Sequence, residues 1–173
     1  MFLEKMNYLL KILESLVTQL KSIIVTKNLQ TEASKKLYEV AKTFLDKDAS
    51  PKDLATDEYG CAESLNAVCE AAWGEPIGGG VSTYRMYYAL LNHKKFVEVT
   101  SPLAGDIILS PTGIGGGKNG IKNGHTGIVS SNGKIMSNNS DNGLWQEKYD
   151  LWSWRYRYVQ LGEYKMLYYR RIF

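Results

Sequence analysis

The sequence predicts an α+β fold with its helices on one side of an antiparallel sheet, and three observations carry that prediction. Between residues 31 and 93, apolar residues recur every three or four positions, the period of an amphipathic helix. From Phe96 onward the pattern changes to short β-branched and aromatic runs broken by Gly, Asn and Pro. A helical half followed by a strand half is the order expected when the two kinds of element segregate. The chain has 173 residues, 44% hydrophobic and 23% charged, enough for one domain with a real core. Residues 1–30 read as a separate amphipathic helix and 31–173 as the domain.

In chain order, Met6, Leu9, Leu10, Leu13, Leu16, Val17, Leu20, Ile23 and Ile24 repeat in alternating threes and fours. Lys11, Glu14, Gln19 and Lys21 interrupt them, so the stretch is an amphipathic helix with one sticky seam and not a membrane span. Residues 6–24 are therefore expected to pack on the domain, to self-associate, or to touch a membrane surface. Thr31 caps a second helix that buries Ala33, Leu37, Val40, Ala41, Phe44 and Leu45 and ends at Leu45. Leu65, Val68, Ala72 and Trp73 give a third helix, starting at Cys61 and stopping at Gly74. Ser82 or Thr83 opens a fourth, from Tyr84 to His93.

Strands are expected at 96–99, 105–110, 127–130, 134–137, 155–159 and 165–170, with Ser131-Asn-Gly133 as a tight hairpin turn in a meander. The net charge of +3 is too weak to argue for nucleic acid. No cationic stretch precedes an apolar run ending in a cleavage site, so no signal peptide is read and the protein is expected to start in a cytoplasm.

The chemistry concentrates in two residues. Cys61 heads a helix, where unpaired N–H groups and the helix dipole favour a thiolate. His125 opens the strand-like run His-Thr-Gly-Ile-Val129 and can serve as its base. The other cysteine, Cys69, lies about 12 Å along the same helix, beyond disulfide reach, so both thiols are expected free and Cys69 structural. His93 reads as a solvated helix end. The run Gly113-Ile-Gly-Gly-Gly-Lys-Asn-Gly120 fails as a phosphate loop, because Asn119 follows Lys118 and Thr112 stands at the first required glycine. It reads instead as a mobile loop at one end of the cleft. Two isolated histidines give no metal-ligand spacing, and neither a metal nor a cofactor is expected.

Tyr59-Gly-Cys61-Ala, Pro102-Leu-Ala-Gly-Asp-Ile-Ile-Leu-Ser-Pro111, Gly124-His-Thr-Gly-Ile-Val129 and Gly133-Lys-Ile-Met-Ser-Asn138, in that order, resemble the CHAP and NlpC-type cell-wall amidohydrolases. The likeness spans residues 31–173 and is strongest to phage-type peptidoglycan hydrolases. It implies a papain-like fold in which Cys61 is the nucleophile and His125 the general base. The residue that orients the imidazole lies on the next strand, with Asn138 the best fit and Ser137 and Asn139 as rivals. The backbone N–H of Cys61 would supply one oxyanion donor. The family often has Trp, Ser or Thr after the cysteine, where this chain has Ala62.

The substrate implied is bacterial peptidoglycan, cut as a muramoyl-alanine amidase or a peptide-stem endopeptidase. The setting implied is a phage endolysin in the host cytoplasm before release, or a virion-associated lysin. Most of the C-terminal aromatics read as core; a minority would stack on glycan rings, with Arg155 and Arg157 meeting stem carboxylates. The alternative is a non-catalytic wall-binding or virion structural module that keeps the fold.

Overall fold

The computed structural model describes residues 6, 8–14, 16–17, 29–50 and 59–173. Residues 18–24 of the expected N-terminal helix and 51–58 of the loop before Cys61 lie outside the described residues. Three helices, α1 (Glu32–Thr43), α2 (Cys61–Trp73) and α3 (Thr83–Asn92), precede strands β1 (Phe96–Val99), β2 (Ile107–Ser110), β3 (His125–Val129), β4 (Lys134–Asn138) and β5 (Trp145–Asp150). A short helix α4 (Leu151–Trp154) runs into a π-helix (Arg155–Leu161), and β6 (Leu167–Arg171) closes the chain. The architecture is mixed α+β around a six-stranded antiparallel sheet.

Local chemistry accounts for the helix ends. The Thr31 hydroxyl accepts the N–H of Ser34 and Ser82 accepts that of Arg85, each satisfying an orphan donor of a first turn. Gly74 ends α2 at φ 79, a left-handed conformation that costs glycine little. Leu37 and Ala41 of α1, Leu65, Val68, Cys69 and Ala72 of α2, and Met86 and Leu90 of α3 pack on one sheet face against Ile107, Leu109, Ile128 and Met136. Burying each of the larger side chains stabilises the fold by about 1.5–3 kcal/mol.

The strand order is β1-β6-β2-β3-β4-β5, so the expected simple meander is corrected. Only β2 to β5 run consecutively, and the C-terminal strand inserts between β1 and β2. The turn at Ser131–Gly133 is the expected hairpin, with Ser130 N–H donating to the Lys134 carbonyl at 2.8 Å.

Two further expectations are corrected. Arg155–Val159 is not a strand but lies within the π-helix, and β5 forms where no strand was expected. Asp150 accepts the N–H of Ser153 while Ser153 reaches back to the N–H of Asp150, a capping box that starts a helix. Trp154 and Tyr158, four apart, then bury the same face of that segment against Ile108, Val129 and Ile135. The helices are thus not all on one side. The three long ones cover one face of the sheet and the 151–161 segment covers the other.

Below that second face lies a buried ion pair. Arg170 of β6 donates to both oxygens of Asp106, at 2.8 and 2.6 Å, and also to the carbonyls of Leu29 and Ser101. The neighbouring Gly105, at φ +84, lies so close to α1 that a Cβ there would sit 1.9 Å from the Ser34 carbonyl oxygen. The Gly-Asp pair that carries the family resemblance therefore has a structural task here. It fastens β2 to α1 and to the C-terminal strand.

Candidate active site

Cys61 is the first residue of α2, after Gly60, which offers no side-chain cap. Its thiol faces the backbone N–H of Thr126, the residue after His125, together with the N–H groups of Ala62 and of Cys61 itself. Those donors favour a thiolate, as a helix start should. Burial opposes them and is the larger effect: with Cys61 only 7% exposed, the thiol is pushed up to about 11. The thiolate expected from the sequence is not the resting form in this closed arrangement. Cys69 is also free and fully buried in the core beneath α2, as expected of a structural cysteine.

His125 begins β3, paired with Ser110 of β2. Gly124 before it comes close to that strand, where a Cβ would lie 1.9 Å from the Ser110 carbonyl oxygen, so no larger residue fits without moving the histidine. The Gly124 N–H donates to the Thr112 hydroxyl, which in turn pairs with the Thr83 hydroxyl at the start of α3. The position of the imidazole along the strand is thereby tied to a helix end.

The ring of His125 sits in an aromatic box. Tyr158 stacks on it at 5.5 Å and 14°, Trp154 lies at 5.2 Å and Tyr149 at 5.8 Å, edge to face. Trp154 is held by donating its indole N–H to Ser110 at 3.0 Å. Tyr158 also lies near enough to Cys61 for a charge on the sulfur to act on its hydroxyl. Burial, helped by the positive charges of Arg157 and Lys148, holds the imidazole down to about 3. It is neutral at ordinary pH.

A backbone carbonyl supports that ring. The imidazole donates to the main-chain oxygen of Asn138, while Nε2 is buried with no hydrogen-bond partner among the described residues. The donating nitrogen is therefore Nδ1, and Nε2 is the unprotonated one. Strand alternation explains why the main chain and not the Asn138 amide takes this role. Asn138 points to the same face as Met136, whereas His125 shares the face of Val129 and Ile135. Of the rivals, Asn139 is engaged with Gln146, Lys148 and Asp141, and Ser137 is fully buried.

Other expected features fall outside the pair. His93 is half-buried, edge-on to Phe96, and accepts the N–H of Lys95, so it shapes a turn. The glycine-rich loop is fastened: Gly117 N–H donates to the Gly162 carbonyl at 2.9 Å and Asn119 to that of Leu161 at 2.8 Å. It clasps the C-terminal end of the segment that covers His125. Tyr149 and the Thr126 N–H are not singled out from sequence as parts of the site, and Trp154 and Tyr158 stand there only among the C-terminal aromatics read mostly as core. The Asp150-x-x-Ser153 box followed by aromatics four apart is the legible sign of Trp154 and Tyr158. Among the described residues, no three His, Cys, Asp or Glu side chains come together as a metal site would need, and no helix is long and apolar enough to cross a membrane. No protein-family model matches the chain, and no curated protein is similar to it.

Proposed function

We propose that the protein is a papain-like cysteine hydrolase that cleaves an amide bond of bacterial peptidoglycan, as a muramoyl-alanine amidase or a peptide-stem endopeptidase. One observation carries the reading. A thiol at a helix start, faced by three backbone N–H groups, adjoins a strand whose first residue is an imidazole with Nδ1 tied to a carbonyl and Nε2 unprotonated. In this reaction Nε2 takes the thiol proton as sulfur attacks the amide carbon, and the oxyanion forms near the Cys61 N–H. The tetrahedral adduct expels the amine, which receives the proton from the imidazolium, and leaves a thioester. Water, deprotonated by the same nitrogen, hydrolyses the thioester and restores the thiol. Arg157, exposed beside Tyr158, offers a cation to a stem carboxylate. A phage endolysin or virion-associated lysin is the setting this reading favours.

Wild-type protein is expected to clear purified cell walls and to release fragments whose masses identify the bond cut. Cys61→Ala should fold, by circular dichroism, yet release none. Fragments from that variant at the wild-type rate would remove the proposal.

The second reading, a non-catalytic wall-binding or virion module, has its own support. Tyr158 caps the imidazole ring, and Nε2 makes no hydrogen bond to the thiol. Tyr158→Ala distinguishes the two. Uncapping should speed alkylation of Cys61 at least about tenfold over Cys69, and a paired thiol should then titrate below the ordinary value near 8.5. A Cys61 that becomes accessible but titrates at or above that value favours the module.

A further inference from the structure

A general base must come within hydrogen-bond reach of the proton it takes, directly or through one water. Nε2 of His125 has no such access here: the residue is 4% exposed and the atom is buried without a partner among the described residues. The ring stacked on it, Tyr158, belongs to the π-helix Arg155–Leu161, and of those seven residues only Tyr158 is buried. Lifting this segment would therefore expose one side chain. A piece of chain with so little buried is one that can open by itself.

Its two ends are anchored differently from its middle. Before it, Trp154 is fully buried and donates its indole N–H to Ser110. After it, the Tyr164 hydroxyl donates to the carbonyl of Lys122 at 2.8 Å, and a Cβ on Gly116 would lie 2.2 Å from the Tyr164 ring. Between these anchors the helix runs in the wide π form, which is rare and recurs at functional sites. Its last carbonyls, which a helix end leaves free, are held from outside by the glycine-rich loop. Gly117 N–H donates to Gly162 and the Asn119 amide to Leu161. Lys118 adds an exposed ion pair with Glu163 at 3.0 Å. Asn119 at φ 52 and Glu163 at φ 56 stand on opposite sides of this clasp, both in the left-handed region that residues other than glycine enter at a cost. The closed form thus holds backbone strain where it is fastened, and release of the clasp would relieve it. We infer that residues 155–161 are a hinged cap over His125, shut by the 117–119 clasp, which opens locally between Trp154 and Tyr164 to uncover Nε2.

That the opening admits a substrate amide rests on the hydrolase reading; the motion itself is read without any cell wall, so the two can fail separately. Diethyl pyrocarbonate acylates an accessible unprotonated imidazole nitrogen, and mass analysis of peptides reports His125 and His93 individually. At about pH 7.5, where an ordinary imidazole is neutral, His125 should react at least about tenfold more slowly than in the urea-unfolded chain. Its rate should stay flat as urea rises below the unfolding transition, because a local opening exposes little surface. Asn119→Gly keeps the left-handed backbone and removes the bond to the Leu161 carbonyl. It should speed the reaction of His125 about fivefold, the scale of one hydrogen bond in an opening equilibrium, with His93 unchanged. A wild-type His125 as reactive as in the unfolded chain overturns the inference, since nothing then covers it. So does a rate that climbs with urea as steeply as global unfolding, or a His125 rate that Asn119→Gly leaves unaltered.

Discussion

His125→Gln is expected to lower wall cleavage by at least about 10³-fold, the scale seen when a general base is removed from a nucleophile it activates. The same substitution should change how stability depends on pH, and the sign follows from burial. The imidazole is held down to about 3 when folded and titrates near 6.5 when unfolded. Between those values the unfolded chain binds the extra proton, so stability falls as pH drops from about 6.5 toward 3, by about 1.4 kcal/mol per pH unit for this one group. Glutamine abolishes that slope. Carboxylates held low by partners, such as Glu75 between Lys95 and Arg171, lose their contribution only at more acid pH. Urea midpoints of the two proteins should therefore converge between pH 6.5 and 4.5. At the alkaline end Cys61 acts in the opposite sense: buried and pushed up to about 11, it costs stability as pH rises past 9, where the unfolded thiol ionises. Asn138→Ala, by contrast, keeps the main-chain carbonyl that holds the ring and should retain activity within about tenfold. Parallel acid limbs for wild type and His125→Gln would mean that the imidazole is not buried neutral.

The parts of this site that depend on neighbours in sequence were legible, and those that depend on closure of the sheet were not. Gly60-Cys61 ahead of Leu65, Val68 and Ala72 announces a helix that starts at the cysteine, because period and start signal lie within one segment. His125 at a strand start follows likewise from Gly124 and the apolar run after it. Arg155-Tyr-Arg-Tyr-Val159 alternates as a strand does, yet an upstream capping box and the burial of Trp154 and Tyr158 on one face impose a helix. Tertiary packing overrode a local pattern there. β5 is not legible in the sequence because Gln146, Glu147 and Lys148 break the apolar alternation of a strand, and they form the sheet's outer strand beside β4. The face presented by Asn138 required the β3–β4 register, which a single strand's sequence does not specify. Insertion of β6 beside β2, and with it the role of Arg170, depends on contacts across 64 positions.

Arg170→Leu is expected to destabilise the domain by about 3–5 kcal/mol, a large part of the roughly 5–15 kcal/mol that holds such a domain together. Both members of the Arg170–Asp106 pair are fully buried, and the guanidinium also satisfies two backbone carbonyls. Leucine leaves the Asp106 carboxylate without its counter-ion in a site where burial already drives its pKa up, despite help from Arg170 and the Leu103 N–H. Folding then requires the carboxyl to take up a proton, so the variant should regain stability relative to wild type as pH falls. Because β6 lies between β1 and β2, the damage should spread across the sheet and not stay local. Thermal unfolding should show a midpoint lower by about 10 °C, given roughly 2–4 °C per kcal/mol for a chain of this size. The double variant Arg170→Leu, Asp106→Leu should recover part of the loss, since an apolar pair removes the stranded charge. A single variant as stable as wild type at neutral pH would mean that Asp106 finds another cation or water, and that β6 is held in the sheet by its backbone ladder alone.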